Sequence, residues 1–160
     1  AGNPDAIIIA TGAEPLQTHI SGMENGSAVT AHAVFEGHMP KGTRILVIGG
    51  GGIGLEVTHL LAEVGKQVTL VEMQRHLGPD MGATIRWALL RDLKKMGVKI
   101  INSTEVISVD ERHLYVVEKG EKKVWEKFDA YVMATGLKPR NELVGALQGF
   151  GGKILVQCIS

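Results

Sequence analysis

Six residues constrain this chain more than any others: Gly49-Gly50-Gly51-Gly52-Ile53-Gly54, set between a β-branched run and an amphipathic stretch. Arg44 to Ile48 has the length and composition of a buried strand. After the glycines, Val57, Leu60, Leu61 and Val64 fall at i, i+3, i+4 and i+7, the spacing of one apolar helix face. Gly65 stands where a helix C-terminus favours glycine. Strand, glycine loop and helix follow in the order Gly-x-Gly-x-x-Gly requires. The first glycine permits the tight turn, the second lets a phosphate reach the backbone, and the third lets helix and strand pack closely. The first N–H groups of such a helix lack intrahelical acceptors, and the helix dipole adds about half a positive charge there. A pyrophosphate is the anion this arrangement suits. Glu72 follows the next strand, Gln67 to Val71, and stands 18 residues after Gly54. A carboxylate there can accept hydrogen bonds from the ribose hydroxyls of an adenosine.

The rest of the chain fits around this unit. Residues 13–42, rich in Gly, Ser, Thr, Pro and Asn, read as a long irregular segment with one helical turn near Ala31–Phe35. Residues 83–96 predict a second amphipathic helix, with Ile85, Leu89, Leu93 and Met96 inward and Arg86, Arg91, Lys94 and Lys95 outward. Val98 to Ile101 predicts a third parallel strand. The period then changes to alternation. Glu105–Val109, Leu114–Lys119 and Lys122–Phe128 predict three antiparallel strands, the last two joined by a turn at Gly120-Glu121, before a buried strand at Ala130 to Ala134. The expected fold is α/β: a Rossmann-like, doubly wound parallel sheet with a three-stranded antiparallel β-meander crossover.

Composition narrows the function classes. With 17 Lys+Arg against 17 Asp+Glu the net charge is zero, which argues for no nucleic acid and no membrane surface as partner. No apolar run approaches the roughly 20 residues of a membrane span. The single cysteine, Cys158, excludes an intrachain disulfide and a CxxC pair, and reads as a small buried hydrophobe. The expected location is cytoplasmic. The six histidines show no metal-ligand spacing.

One phrase occurs twice. Asp5 to Pro15 and Asp129 to Pro139 both read D-A-(three apolar)-A-T-G-x-x-P. The pair suggests the closing strands of two related nucleotide-binding folds, one present and one largely absent. The chain lacks an initiator Met and both ends are strand-like, so a domain excised from a longer protein is expected. Ile7–Ile9 and Ile154–Val156 are then expected to lie side by side, paired with each other or with a neighbouring molecule.

The segments VIGGGGIGLE (Val47–Glu56) and VTLVE (Val68–Glu72), with the two Ala-Thr-Gly strands, resemble the pyridine nucleotide-disulfide oxidoreductase superfamily of two-dinucleotide-domain flavoproteins. The quadruple glycine and VEMQRHLGPDM are similar to the NADH:flavin oxidoreductase, 2,4-dienoyl-CoA reductase and enoate reductase group. The resemblance implies one NAD(P)H-binding domain over 1–160. Its core is 42–137, and residues 1–41 and 138–160 lead to an FAD-binding domain of the same parent chain. It implies NADH, or NADPH, on Gly49, Gly50, Gly51, Gly52, Ile53 and Gly54, with Glu72 and Met73 on the adenosine side and Val106 flanking the adenine. Thr135 and Gly136 would line the nicotinamide side. FAD belongs to the parent, and in the closer relatives so do FMN and an iron–sulfur cluster. The hydride would pass from nicotinamide to flavin, which is cofactor chemistry that the protein positions. No catalytic side chain is expected, and the chain alone is expected to be inactive.

Alternatives stay open at three residues. Glu56 is either a carboxylate complementing the helix dipole or a contact of the nicotinamide carboxamide. Arg75 is either a solvated side chain or the partner of a 2′-phosphate, with the carboxylate of Glu72 favouring NADH. Thr135 is either a turn residue or part of the nucleotide lining. Two other functions compete: an NAD-sensing regulatory module, and an S-adenosylmethionine-dependent methyltransferase. The meander and the repeated Ala-Thr-Gly strand argue against the first, and the three-glycine spacing and the meander against the second.

Overall fold

The computed structural model describes residues 4–16, 18–23, 28–147, 149, 151 and 153–156; Cys158 lies outside them. In chain order the elements are β1 (Ala6–Ile9), β2 (Ala13–Pro15), β3 (Ala28–Thr30), α1 (Ala31–Phe35), β4 (Arg44–Ile48), α2 (Gly52–Glu63), β5 (Gln67–Val71) and α3 (Ala83–Lys95). They continue with β6 (Lys99–Ile101), β7 (Thr104–Val109), β8 (His113–Glu118), β9 (Glu121–Glu126), β10 (Ala130–Met133), β11 (Leu137–Pro139), α4 (Glu142–Ala146) and β12 (Lys153–Val156). Two compact units result, residues 17–136 and residues 1–16 with 137–160.

In the larger unit, alternation along the strands builds three layers. The sheet is five-stranded and parallel, in the order β3-β10-β4-β5-β6. Ile45, Val47, Val68, Leu70, Ala130 and Val132 point to one face. There they meet Ala31 and Val34 of α1, Leu55, Val57 and Leu61 of α2, and Leu93 of α3. Leu46, Ile48, Val71 and Tyr131 point to the other face and meet Val106, Val109, Leu114 and Val116 of the meander, together with Ile20 and Met23. Successive strand side chains project to opposite faces, so each buried run serves both cores. The fold is Rossmann-like α/β. Its second covering layer is the antiparallel sheet β7-β8-β9 rather than helices.

Several local expectations shift. The segment 13–42 is not wholly irregular: Ala28–Thr30 forms the sheet edge beside β10, and the Thr30 hydroxyl accepts from the Ala33 N–H at 3.1 Å to cap α1. Val64 is not on the apolar face of α2. It is the C-cap residue, 52% exposed, where the chain has begun to leave the helix, and Gly65 follows at φ +82°. The inward face of α3 is rotated. Ile85 is 64% exposed and Met96 42%, while Leu89 and Leu90 pack beside the fully buried Leu93 and Arg86 is half-buried. The β8–β9 turn falls one residue earlier than expected, at Lys119 (φ +52°) and Gly120 (φ +87°), with Glu118 paired to Glu121. Positive φ at both central residues gives the type I′ twist that matches the flanking strands. Before β8, the carboxylate of Asp110 accepts from the Arg112 and His113 N–H groups and from the Tyr115 hydroxyl, at 2.7–2.8 Å. Those bonds hold its pKa down to about 2, the Arg112 N–H contributing most.

In the smaller unit, β1 pairs with β12 in parallel, Ala6 to Lys153 through Ile9 to Val156. The expected pairing of the two end strands is therefore present within one chain. β2 pairs antiparallel with β11, and Glu14 and Lys138 face each other there at 2.8 Å. The shared hydrogen bond and charge lower the Glu14 pKa and raise that of Lys138.

Candidate functional site

The topology itself marks a place for a ligand. β4 lies between β5, reached through α2, and β10, which arrives from the meander. The connections leave β4 in opposite directions, and a crevice opens at the carboxyl ends of its strands, where sheets of this kind bind ligands. A cavity of about 300 Å³ occupies that crevice. Ile48, Gly49 and Gly51 line it from the end of β4, and Val71, Glu72, Met73 and Gln74 from the end of β5. Ala134, Thr135 and Gly136 line it after β10, and Thr104, Glu105 and Val106 at the start of β7.

The glycines have distinct surroundings. Gly49 takes φ +108°, and a Cβ there would meet the Ala134 carbonyl. A Cβ on Gly54 would collide with the Gly49 carbonyl oxygen, so this glycine is required for the close approach of α2 to β4. A Cβ on Gly51 would meet nothing nearer than the Asp80 carboxylate at 3.7 Å, and Gly51 lines the cavity. Its backbone is thus open to the crevice, as phosphate contact requires.

Hydrogen bonding around the loop alternates. The Gly50 N–H donates to Glu72 Oε2 at 2.6 Å, and the Gln74 N–H to Glu72 Oε1 at 2.7 Å. The Gly52 N–H donates to both carboxylate oxygens of Asp80, at 2.9 and 3.0 Å. The Leu55 N–H makes the first helical bond, to Gly51. Among the described residues, no acceptor takes the N–H of Gly51, Ile53 or Gly54. Three unclaimed donors at the start of a 12-residue helix make a fitting seat for an anion.

Of the residues singled out by sequence, Gly49, Gly51, Glu72, Met73, Val106, Thr135 and Gly136 meet around the cavity. Gly50, Gly52, Ile53 and Gly54 form the loop and first helical turn behind it. Glu56 and Arg75 are exposed and do not line the cavity. Glu56 is the fifth residue of α2, past the first turn where a carboxylate best complements the dipole. The carbonyl of Arg75 accepts from Asn102 Nδ2 at 2.6 Å. Thr18, Ile20, His76 and Pro79 also line the cavity and were not singled out. Thr18 and Ile20 sit in an aperiodic segment with no local signal. The Thr18 hydroxyl donates to Thr135 Oγ1 at 2.7 Å, closing one wall. Asp80 was missed as well. Its signal was an acidic residue in a Gly-Pro turn one strand after the glycine loop.

Among the described residues, no group of three or more His, Cys, Asp or Glu could hold a metal ion, and no helix is long and apolar enough to cross a membrane.

Known proteins share both sequence and architecture with this chain. It is 30% identical to a metal reductase of Desulforamulus reducens over 92% of its own length and 26% of that protein's. It is 33% identical to an NADH oxidase of Thermoanaerobacter brockii, over 93% of its length and 24% of the relative's. The chain thus spans about a quarter of the length of these relatives. Among solved structures it superposes on a 2-naphthoyl-CoA reductase with a TM-score of 0.80 at 24% identity, covering 96% of this chain and 24% of that one. It also superposes on an NAD-dependent persulfide reductase of A. fulgidus at 0.66 and 29% identity, covering 90% and 28%. The family model for pyridine nucleotide-disulphide oxidoreductase matches residues 3–157, and the chain belongs to that oxidoreductase family.

Proposed function

We propose that the chain is the NAD(P)H-binding part of an FAD-dependent oxidoreductase, with NADH as its preferred nucleotide. One observation carries the proposal: the unclaimed N–H groups of Gly51, Ile53 and Gly54 stand at the start of α2, beside the crevice at the carboxyl end of β4. The pyrophosphate would rest on those donors. Glu72, at the end of β5, would take the adenosine ribose. A 2′-phosphate there would face the carboxylate of Glu72, while Arg75 stands outside the cavity lining, which supports NADH over NADPH. Val106 would flank the adenine, and Thr135, held by Thr18, would line the nicotinamide side. When bound, the nicotinamide supplies a hydride to a flavin held by another part of the parent protein. This chain's residues bind and orient it and take no proton. Residues 1–41 and 138–160 would lead to the FAD-binding part.

Titration with NADH, NADPH and FAD, followed by nicotinamide fluorescence and calorimetry, tests the proposal. NADH is expected to bind, NADPH to bind on the order of tenfold more weakly, and FAD not to bind. Gly51→Val is expected to abolish NADH binding by filling the space that the pyrophosphate needs. Failure of wild-type protein to bind either nicotinamide nucleotide overturns it.

A further inference from the structure

Asp80 has no role in the function proposed above, yet it holds a central position. The N-cap of α2, Gly51, has no side chain to satisfy the helix terminus. Asp80, 28 residues after Gly52, does so instead, with both oxygens on the Gly52 N–H. Its loop is fastened to the glycines. The Gly78 N–H donates to the Gly50 carbonyl at 2.7 Å, and the Met81 N–H turns back to Gly78 at 3.1 Å. Arg86 reaches the Gly78 carbonyl at 3.4 Å. Gly78 has φ +55°, which suits this turn. Among the described residues, no Lys, Arg or His pairs with Asp80.

Glu72 pins Gly50 and Asp80 pins Gly52, so the intervening Gly51 and the following Ile53 and Gly54 are the donors left for a ligand. The same carboxylate that shapes the loop therefore places a negative charge where a second anion would arrive. We propose that Asp80 is a resident anion on the glycine loop, which preorganises the loop through the Gly52 N–H and weakens pyrophosphate binding through its charge. The proposal rests on the reading that the loop holds a pyrophosphate. It makes Asp80 a positioning residue that keeps a bound nucleotide exchangeable, since two anions sharing one helix terminus repel each other.

Asp80→Asn separates the two effects, because an amide oxygen can still accept from Gly52 but carries no charge. Wild type, D80N and D80A are titrated with NADH and, separately, with inorganic pyrophosphate, and their thermal midpoints are recorded with and without pyrophosphate. D80N is expected to bind both probes about tenfold more tightly than wild type. D80A is expected to have a lowered midpoint that saturating pyrophosphate restores, the added anion replacing the lost cap. A merely structural aspartate would give D80N equal or weaker binding, and that result overturns the proposal. So does a D80A midpoint that pyrophosphate leaves low. Wild type that binds pyrophosphate but not NADH, with D80N tighter for pyrophosphate, upholds Asp80 and overturns the nucleotide assignment. Wild type that binds NADH, with D80N no tighter, does the reverse.

Discussion

Asp5–Pro15 and Asp129–Pro139 are one phrase in two surroundings. Locally they fold alike. Each is a four-residue strand, a glycine of positive φ (Gly12 at +76°, Gly136 at +111°) and a three-residue strand that pairs with its counterpart. Beyond that they diverge. β10 lies between β3 and β4, and Val132 at its centre is fully buried. β1 has β12 as its sole strand neighbour among the described residues, and the matching Ile8 is 70% exposed. Asp129 accepts from two backbone N–H groups through its side chain, whereas Asp5 accepts the Lys153 N–H through its carbonyl. Thr135 lines the cavity; Thr11 donates to the Arg140 carbonyl at 2.7 Å. The phrase specifies backbone conformation, and the neighbours decide whether the same positions become core, cap or ligand lining.

The largest expected contrast lies at the strand centres. Val132→Ala removes two methyl groups from a packed interior and is expected to cost about 2 kcal/mol or more, read as a urea midpoint shift. Ile8→Ala is expected to cost under about 0.5 kcal/mol, as for an exposed side chain. Equal losses would mean that β1 is covered as fully as β10. The turn glycines should show the opposite, near-equal behaviour. A Cβ on Gly12 or on Gly136 would meet no atom within 4 Å, so alanine costs only the backbone conformation, about 1 kcal/mol at each. A much larger loss at one of them would show that the local conformations differ in their tolerance.

The threonines sharpen the comparison at the level of function. Thr135→Val removes the hydroxyl that accepts from Thr18 and is expected to weaken NADH binding about threefold in a fluorescence titration. Thr11→Val is expected to leave it unchanged.

How much of this was legible in the sequence depended on whether a residue's role was local. The glycine loop, the flanking strand and helix, and the meander followed from spacing that short segments carry by themselves. The inward face of α3 did not. Ile85 and Met96 have the right period, but the helix rolls so that Leu89, Leu90 and Leu93 bury against its neighbours, a choice made by packing. β3 has three residues and pairs with β10, about a hundred positions away, so no local pattern announced it. The cavity shows the same division. Gly51 and Glu72 are placed by the strand–loop–helix unit, whereas Thr18 and Pro79 arrive from segments whose course only the folded chain determines.

The smallest expected effect is a pH dependence confined to one copy of the phrase. Asp129 Oδ2 accepts from the Arg44 N–H at 2.8 Å and the Thr43 N–H at 2.7 Å, tying the turn before β10 to the start of β4. These bonds, that of Arg44 foremost, favour the ionised carboxylate and lower its pKa. A folded pKa below the unfolded one stabilises the protein in full above the unfolded value, about 3.9. That contribution fades as pH falls below this value and is gone once pH has passed through the lowered folded value. Asp129→Asn keeps one acceptor but not the charge, so its unfolding midpoint is expected to lie slightly below wild type at pH 7 and to converge on it in strong acid. The matching Asp5→Asn removes a carboxylate with no hydrogen-bond partner among the described residues and is expected to leave the midpoint at pH 7 unchanged. A gap between D129N and wild type that stays constant down to about pH 2 would mean that the carboxylate is replaceable by any acceptor, and that its charge does not hold β10 to β4.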